Sequence, residues 1–411
     1  MRSSLKLVVC LVALMCTGGA YAQTPDAQTP DAQAEANMID GPNTAPIAYV
    51  YVSTSNGINL YDAAPNGKPG LVSGSPFHTT LPMIGSNGSY FVTLDYSDYA
   101  TIHSYKVGSN GAIEGQVSSI DSQDYNGVNC GATDGGVFDH TGEHVYVLLD
   151  TSANCGAFQT YSVAKGTGAL SFKGANVNNN IGVSGCCTLP AITPKDTFSY
   201  VSEQTFECDG CYNTWGAFKI GGNGTFENST GPITGPKPKS SNLLFTPGLM
   251  ATDGEDHLAV LGSWYDQNAG QYTDAWGLAS YTVNPKTGAL TSTNTWKELP
   301  SPINTGVGAM RMSPSGKILA LAGEYGLQFF HFNGAAPITE FGGLKTKVEI
   351  DEIKWDNNNH LYALSNAYNM YSSPNGEAEL FVFTVTPTSI TEVPGSPFHI
   401  AGADGLVVVA K

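Results

Sequence analysis

"LVSGSPFHTT" spans Leu71–Thr80 and "EVPGSPFHIA" spans Glu392–Ala401. The shared core, GSPFH, lies at Gly74–His78 and again at Gly395–His399, a dozen residues before the last one. A phrase written at both ends means a tandem repeat, a fold whose ends are neighbours, or both. The residues between the two copies decide.

Those residues carry few helix signals. Forty-eight glycines and 23 prolines punctuate the chain, and no long run holds a 3.6-residue period. Short stretches rich in Val, Tyr, Phe, Thr and Ile alternate with turn residues, which is the signature of strands. They recur in order. An apolar stretch such as "AYVYVST", "HVYVLLD" or "HLYALSN" precedes an aromatic one that ends in a turn, such as "INLYDAAPNG" or "LASYTVNPKTG". The aromatic landmarks Tyr61, Tyr105, Tyr161, Phe218, Tyr281, Phe330 and Phe383 stand 44 to 63 residues apart. Each turn leads into a third stretch, and one further short strand precedes each unit: "AMRMSPSG" and "IKWDNNN" are examples. Seven such units predict an all-β fold, a seven-bladed β-propeller of four-stranded antiparallel blades.

The first unit, "AYVYVST", has no inner strand ahead of it. The missing strand is "GLVVVAK" at Gly405–Lys411, which predicts a ring closed by the C-terminal strand joining the first blade. Closure removes the open sheet edge. It also gives both GSPFH copies the same place, just after an outer strand, where His78 and His399 read as structural.

Residues 1–22 read as an export leader: Arg2 and Lys6, an apolar run Leu7–Cys16, and a small-x-small site at Ala20–Ala22. Residues 23–46, with "QTPDAQTPDAQAEA", lack large apolar side chains and read as a disordered tether. The propeller takes residues 47–411. An exported protein, periplasmic or extracellular, follows, with no transmembrane segment because no stretch approaches 18 apolar residues. A monomer is expected.

The formal charge is −17, and two units more negative once Arg2 and Lys6 leave with the leader. Lys and Arg form no run, so nucleic acid is excluded as a partner. Arg311 is the only arginine after the leader.

Six cysteines follow the leader: Cys130, Cys155, Cys186, Cys187, Cys208 and Cys211. In a four-stranded meander the inter-blade links share one face with the loops between second and third strands. All six cysteines fall on that face, the first, third and fourth in links and the others in loops. An oxidising compartment favours disulfides, the simplest pairing being Cys130 with Cys155. The other four belong to the fourth unit, where the adjacent "CC" argues against a four-thiolate zinc site and no metal is assigned.

The same face carries long loops with Tyr96, Tyr99, Trp264, Tyr265, Tyr272, Trp276, Tyr368 and Tyr371. Exposed aromatics beside Asp and Asn suit glycan or protein binding; they equally suit packing that anchors the loops. Nearer the axis, Arg311 sits on an inner strand, with Glu349, Asp351 and Glu352 on the next and Asp134 and Asp139 on another. Arg311 could clamp a carboxylate or form an ion pair with Glu349 or Asp351. No cofactor is called for; Ca²⁺ could find oxygen ligands only among these carboxylates.

With "AYVYVSTSNGINLYD", "SPSGKILALA", "NPKTGALT" and the "PGSPF" closings in view, residues 47–411 resemble the lactonase-type propellers, which include 6-phosphogluconolactonases and YVTN-repeat surface proteins. The resemblance implies a lactone (carboxylic ester) hydrolase, with Arg311, Glu349 and Asp351 as candidate catalytic residues and a small-molecule lactone as substrate. The family's inner-strand Arg-His pair would register on Gly308 and Ala309, so Arg311 stands three residues from it. The alternative is a non-catalytic propeller that binds glycan or protein through its cysteine- and aromatic-rich loops.

Overall fold

The computed structural model describes residues 45–77, 83–95, 101–122, 133–149, 157–177, 186–204, 214–228, 233–273, 276–365 and 377–411. They form seven antiparallel sheets and, among the described residues, no helix. Blades two to seven run in sequence order over Met83–Asp121, Thr133–Val177, Cys186–Asn228, Leu243–Glu298, Val307–Glu340 and Ile350–Glu392. The first blade takes three strands from Ala48–Leu71 and its innermost strand, Ala403–Ala410, from the other end of the chain. That strand pairs with Ala48–Thr54, Ala48 opposite Ala410, and touches the inner strands of the second and seventh blades. The ring is closed as the repeat predicts.

Both GSPF copies do one job. Ser75 Oγ accepts from Leu60 N (3.0 Å) and Ser396 Oγ from Val382 N (3.0 Å), each a third-strand amide. The phenylalanines then rejoin the same strand edge, Phe77 opposite Ile58 and Phe398 opposite Leu380. His399 lies exposed beyond, 3.8 Å from Glu377; His78 is outside the described residues.

The core lies between blades. Seven apolar clusters are buried, one per seam. Second strands are therefore packed on both sides, and Ala48–Thr54, Ile318–Gly323 and His360–Ser365 are buried throughout. This is why their sequences are nearly unbroken apolar runs.

A repeated latch locks most seams. The glycine in each hairpin between third and outer strands lies against the ring that opens the second strand of the preceding blade. Gly111 meets Tyr49, Gly168 meets Tyr90, Gly224 meets His144, Gly288 meets Phe198 and Gly334 meets His257. At the closing seam Gly67 meets His360, and Tyr362 Oη donates to the Gly67 carbonyl (3.2 Å). Burial pushes the Tyr362 phenol well above its usual range, so it stays a donor. The sixth seam is the exception: Ile318 replaces the ring and Pro387 stands in the facing turn, leaving a gap of about 290 Å³. Gly67 has φ +82, and a Cβ there would stand 2.8 Å from the His360 ring. Gly67→Ala should cost about 2–4 kcal/mol, from the left-handed backbone and the clash together. Gly88→Ala is the control, with φ +87 and open space. Equal losses of thermal stability in the two variants would show that the latch contributes nothing.

Candidate functional site

Inner strands run from the face of the inter-blade links to the face of the tight turns. A cavity of about 370 Å³ occupies the axis and is lined by inner strands of all seven blades. Its lining uses the last residues of those strands, such as Ile84–Ser86, Met250–Thr252 and Met310–Met312, so it lies in the turn-face half of the channel.

One layer defines it. Counting back from each turn by the strand pairing, Val408, Gly85, Val137, Ala191, Ala251, Arg311 and Lys354 occupy equivalent positions in blades one to seven. All seven line the cavity. Five are small and apolar; the two neighbours Arg311 and Lys354 are cations. Arg311 Nη1 donates to the Met310 carbonyl (2.9 Å). Glu352, two residues deeper on the strand of Lys354, accepts from Leu406 N (3.2 Å) and lies 3.8 Å from Lys354 Nζ. Burial pushes the Lys354 ammonium below the usual lysine range; Glu352 opposes the shift and Arg311 adds to it. Burial lowers the Arg311 guanidinium too, against Glu352.

Among the described carboxylates, the one whose charge acts on Arg311 is thus Glu352. Glu349 and Asp351 sit at the link-face end of the same strand, and Glu349 is five residues, or ~16 Å of extended chain, from Lys354; neither lines the cavity. The expected pairing of Arg311 with Glu349 or Asp351 is corrected here. Arg311 is the fifth residue of its six-residue strand, which carries it past the mouth where those carboxylates stand. Burial, then the Glu324 carboxylate, push the Glu349 carboxyl up. A raised folded value means stability that is full below the unfolded value near 4.3 and lost as pH rises through the folded one. Glu349→Gln should therefore raise the thermal midpoint at pH 7, and the gain should fade by pH 4. An equal gain at both would rule out the electrostatic account.

Asp139 is a turn cap. Its Oδ1 accepts from Glu143 N and His144 N, and its Oδ2 meets His144 Nδ1 at 2.8 Å. Burial pushes its carboxyl up, but the hydrogen bonds from His144 outweigh it and hold the group below its usual value. Asp356 holds His360 the same way at 2.7 Å, and Asp253 holds His257 at 2.9 Å. Asp253, Glu255 and His257 bring donor atoms within 4.8 Å of one another, yet Asp253 is committed to the same cap. The side chain of Asp134 is outside the described residues.

The aromatic candidates divide. Trp264 is buried in a cluster with Phe245 and Trp296, at ring separations of 5.4 and 5.3 Å. Trp276 packs over Gly248 and against the fifth and sixth blades. Trp264 is a core residue on the fifth blade's second strand, opposite Phe245, which corrects the binding role considered for it, while Trp276 is half-buried. Tyr272 itself is exposed and meets Tyr265 edge-on at 5.2 Å. Tyr96, Tyr99, Tyr368 and Tyr371 lie outside the described residues, as do Cys130, Cys155, Cys208 and Cys211. Cys186–Cys187 are described in backbone only; they form a strand opposite Gln204 and Glu203 at the start of the fourth blade's inner edge, not a link.

Lys354 and Glu352 were not singled out from the sequence as a pair with Arg311. The signal was present: "AMRMSPSG" and "EIKWDNNN" both place a cation two residues before the turn.

Solved structures align over most of the chain. A periplasmic gluconolactonase of Pseudomonas aeruginosa superposes with a TM-score of 0.57 at 13% identity, covering 88% of this chain and 99% of its own. A candidate 6-phosphogluconolactonase of Bacteroides fragilis gives 0.58 at 13%, covering 90% and 100%. The fold is that of the lactonase-type propellers. A Lactobacillus plantarum protein gives 0.61 at 13%, covering 88% and 98%. No family model and no curated protein sequence matches the chain. At this identity the lactonase-type propeller is shared as a fold. Among the described residues no helix is long and apolar enough to cross a membrane.

Proposed function

We propose that this protein is an exported hydrolase of a small lactone or similar carboxylic ester, acting in the turn-face half of its channel. The observation that carries the reading is the layer in which Arg311 and Lys354 stand side by side among five small apolar residues, with Glu352 behind them. Small residues leave room for a ligand, and the two cations are the polar groups of that layer. The export leader read in residues 1–22 supports a place outside the cytoplasm.

The chemistry follows from the three charged groups. The substrate carbonyl oxygen meets the Arg311 guanidinium, which stabilises the oxyanion that forms as water attacks. Glu352 takes the proton from that water. As the ring C–O bond breaks, the leaving alkoxide takes a proton from Lys354, whose desolvated ammonium is a stronger acid than an exposed one. Glu352 returns its proton to Lys354, 3.8 Å away, and a hydroxy acid leaves. Proton release by the mature protein over a panel of unphosphorylated lactones tests the reading; no turnover on any of them would sink it.

The second reading, glycan or protein binding on the link face, keeps the exposed Tyr272, with the half-buried Tyr265 against it, from its candidate aromatics. A glycan array on the same preparation, with Tyr272→Ala as control, decides it.

A further inference from the structure

We infer that the channel takes a lactone with an apolar body, alkyl- or aryl-substituted, and discriminates against polyhydroxylated sugar lactones. This rests on the proposed placement of the chemistry in the channel and specifies the substrate class.

The walls around the two cations are aliphatic and thioether: Ile84, Val137, Met250, Met312 and Val408 all line the cavity. Thioethers adapt to irregular apolar shapes. A sugar lactone brings several hydroxyls, and each one desolvated without a partner costs about 1–3 kcal/mol. Besides the two cations, the described lining offers three hydrogen-bonding side chains, Ser86, His140 and Thr252, and each already holds a partner. Ser86 Oγ donates to the Tyr90 carbonyl (2.9 Å) and accepts from Gly88 N (3.0 Å). Thr252 Oγ1 donates to the Ile192 carbonyl (2.7 Å). His140 Nδ1 meets Asp196 Oδ1 at 2.8 Å across to the fourth blade. Among the described residues no carboxylate belongs to the lining; Glu352 stands behind it, accepting from Leu406 N and facing Lys354 Nζ. A sugar would be left with strand-edge backbone groups, the second nitrogen of His140, the acceptor side of Thr252 Oγ1 and two cations. An apolar lactone asks less: its carbonyl meets Arg311 and its body displaces water from the walls.

The test is a pH-stat comparison of γ-decalactone and dihydrocoumarin with glucono-δ-lactone on the full mature protein. Calorimetry of 4-hydroxydecanoate against gluconate runs beside it. The expected result is kcat/KM at least about tenfold higher for the apolar lactones, one unpaired hydroxyl being enough for that factor. Val137→Thr, which adds a hydroxyl at near-constant shape, should narrow the gap by improving the sugar lactone. Gluconolactone turned over as well as or better than the apolar lactones would overturn the inference and leave the hydrolase reading intact. Tight binding of 4-hydroxydecanoate without turnover of any lactone would uphold the apolar site and sink the hydrolase. Neither turnover nor binding would overturn both.

Discussion

Deletion of Gly405–Lys411 is expected to abolish the cooperative thermal transition of the parent. The segment supplies six of the residue pairs that close the first blade, from Ser53 opposite Gly405 to Ala48 opposite Ala410. Leu406 and Val407 are buried in the two seams that flank this blade. Burying those two side chains alone contributes about 4 kcal/mol, against a net stability of roughly 5–15 kcal/mol for a folded domain. Truncation also strips the partner from Ala48–Thr54, whose seven residues are all buried in the parent. A bare, apolar strand edge is a template for association. Scanning calorimetry should show the transition lost or sharply lowered, and sedimentation should show self-association. A synthetic peptide of residues 403–411 added in trans should restore part of the transition. A truncated protein that melts like the parent would show that the ring does not depend on this strand.

Arg311→Ala is expected to lower kcat/KM on any lactone the protein hydrolyses by about 100-fold or more, the usual cost of losing one preorganised oxyanion donor. Arg311→Lys should rescue little, because an ammonium cannot reproduce the planar fork held against the Met310 carbonyl. The pH profile separates this role from a structural one. In the proposed mechanism Lys354 is the acid, so activity should fall as pH rises through its folded pKa, which burial and Arg311 hold below the usual lysine range. Removing the guanidinium removes that repulsion. In Arg311→Ala the alkaline limb of the residual activity should therefore move to higher pH. Residual activity with an unmoved limb would mean that the two cations do not share a site; unchanged turnover would place the chemistry elsewhere. Glu352→Gln should lose the base and leave product binding in place.

How the ring closes was legible because its signals are local. Strand and turn residues repeat within each unit, and a unit lacking its inner strand at one end with a spare strand at the other admits one arrangement. The roles of Trp264 and Trp276 were not legible, because an aromatic residue on a long loop reads alike whether it faces solvent or a neighbouring blade. The pairing of the fifth blade sets Trp264 opposite Phe245 and against Trp296, and Trp276 lies over Gly248.

Chain order by itself determined that this protein is a seven-bladed propeller closed by Gly405–Lys411, and that Arg311 lies on an inner strand. The tertiary structure decided what that arginine faces. Depth along the channel depends on the register of each inner strand, and the pairing shifts between Val307 and Ala309 and between Ile350 and Glu352. Between those shifts and the turns the pairing is regular: Arg311 stands opposite Ala320 and Lys354 opposite Tyr362, each partner the third residue of its second strand. That sets the two cations level and leaves Glu349 and Asp351 near the opposite mouth. Level positions on separate strands are a property of the ring, and no single strand's sequence states them.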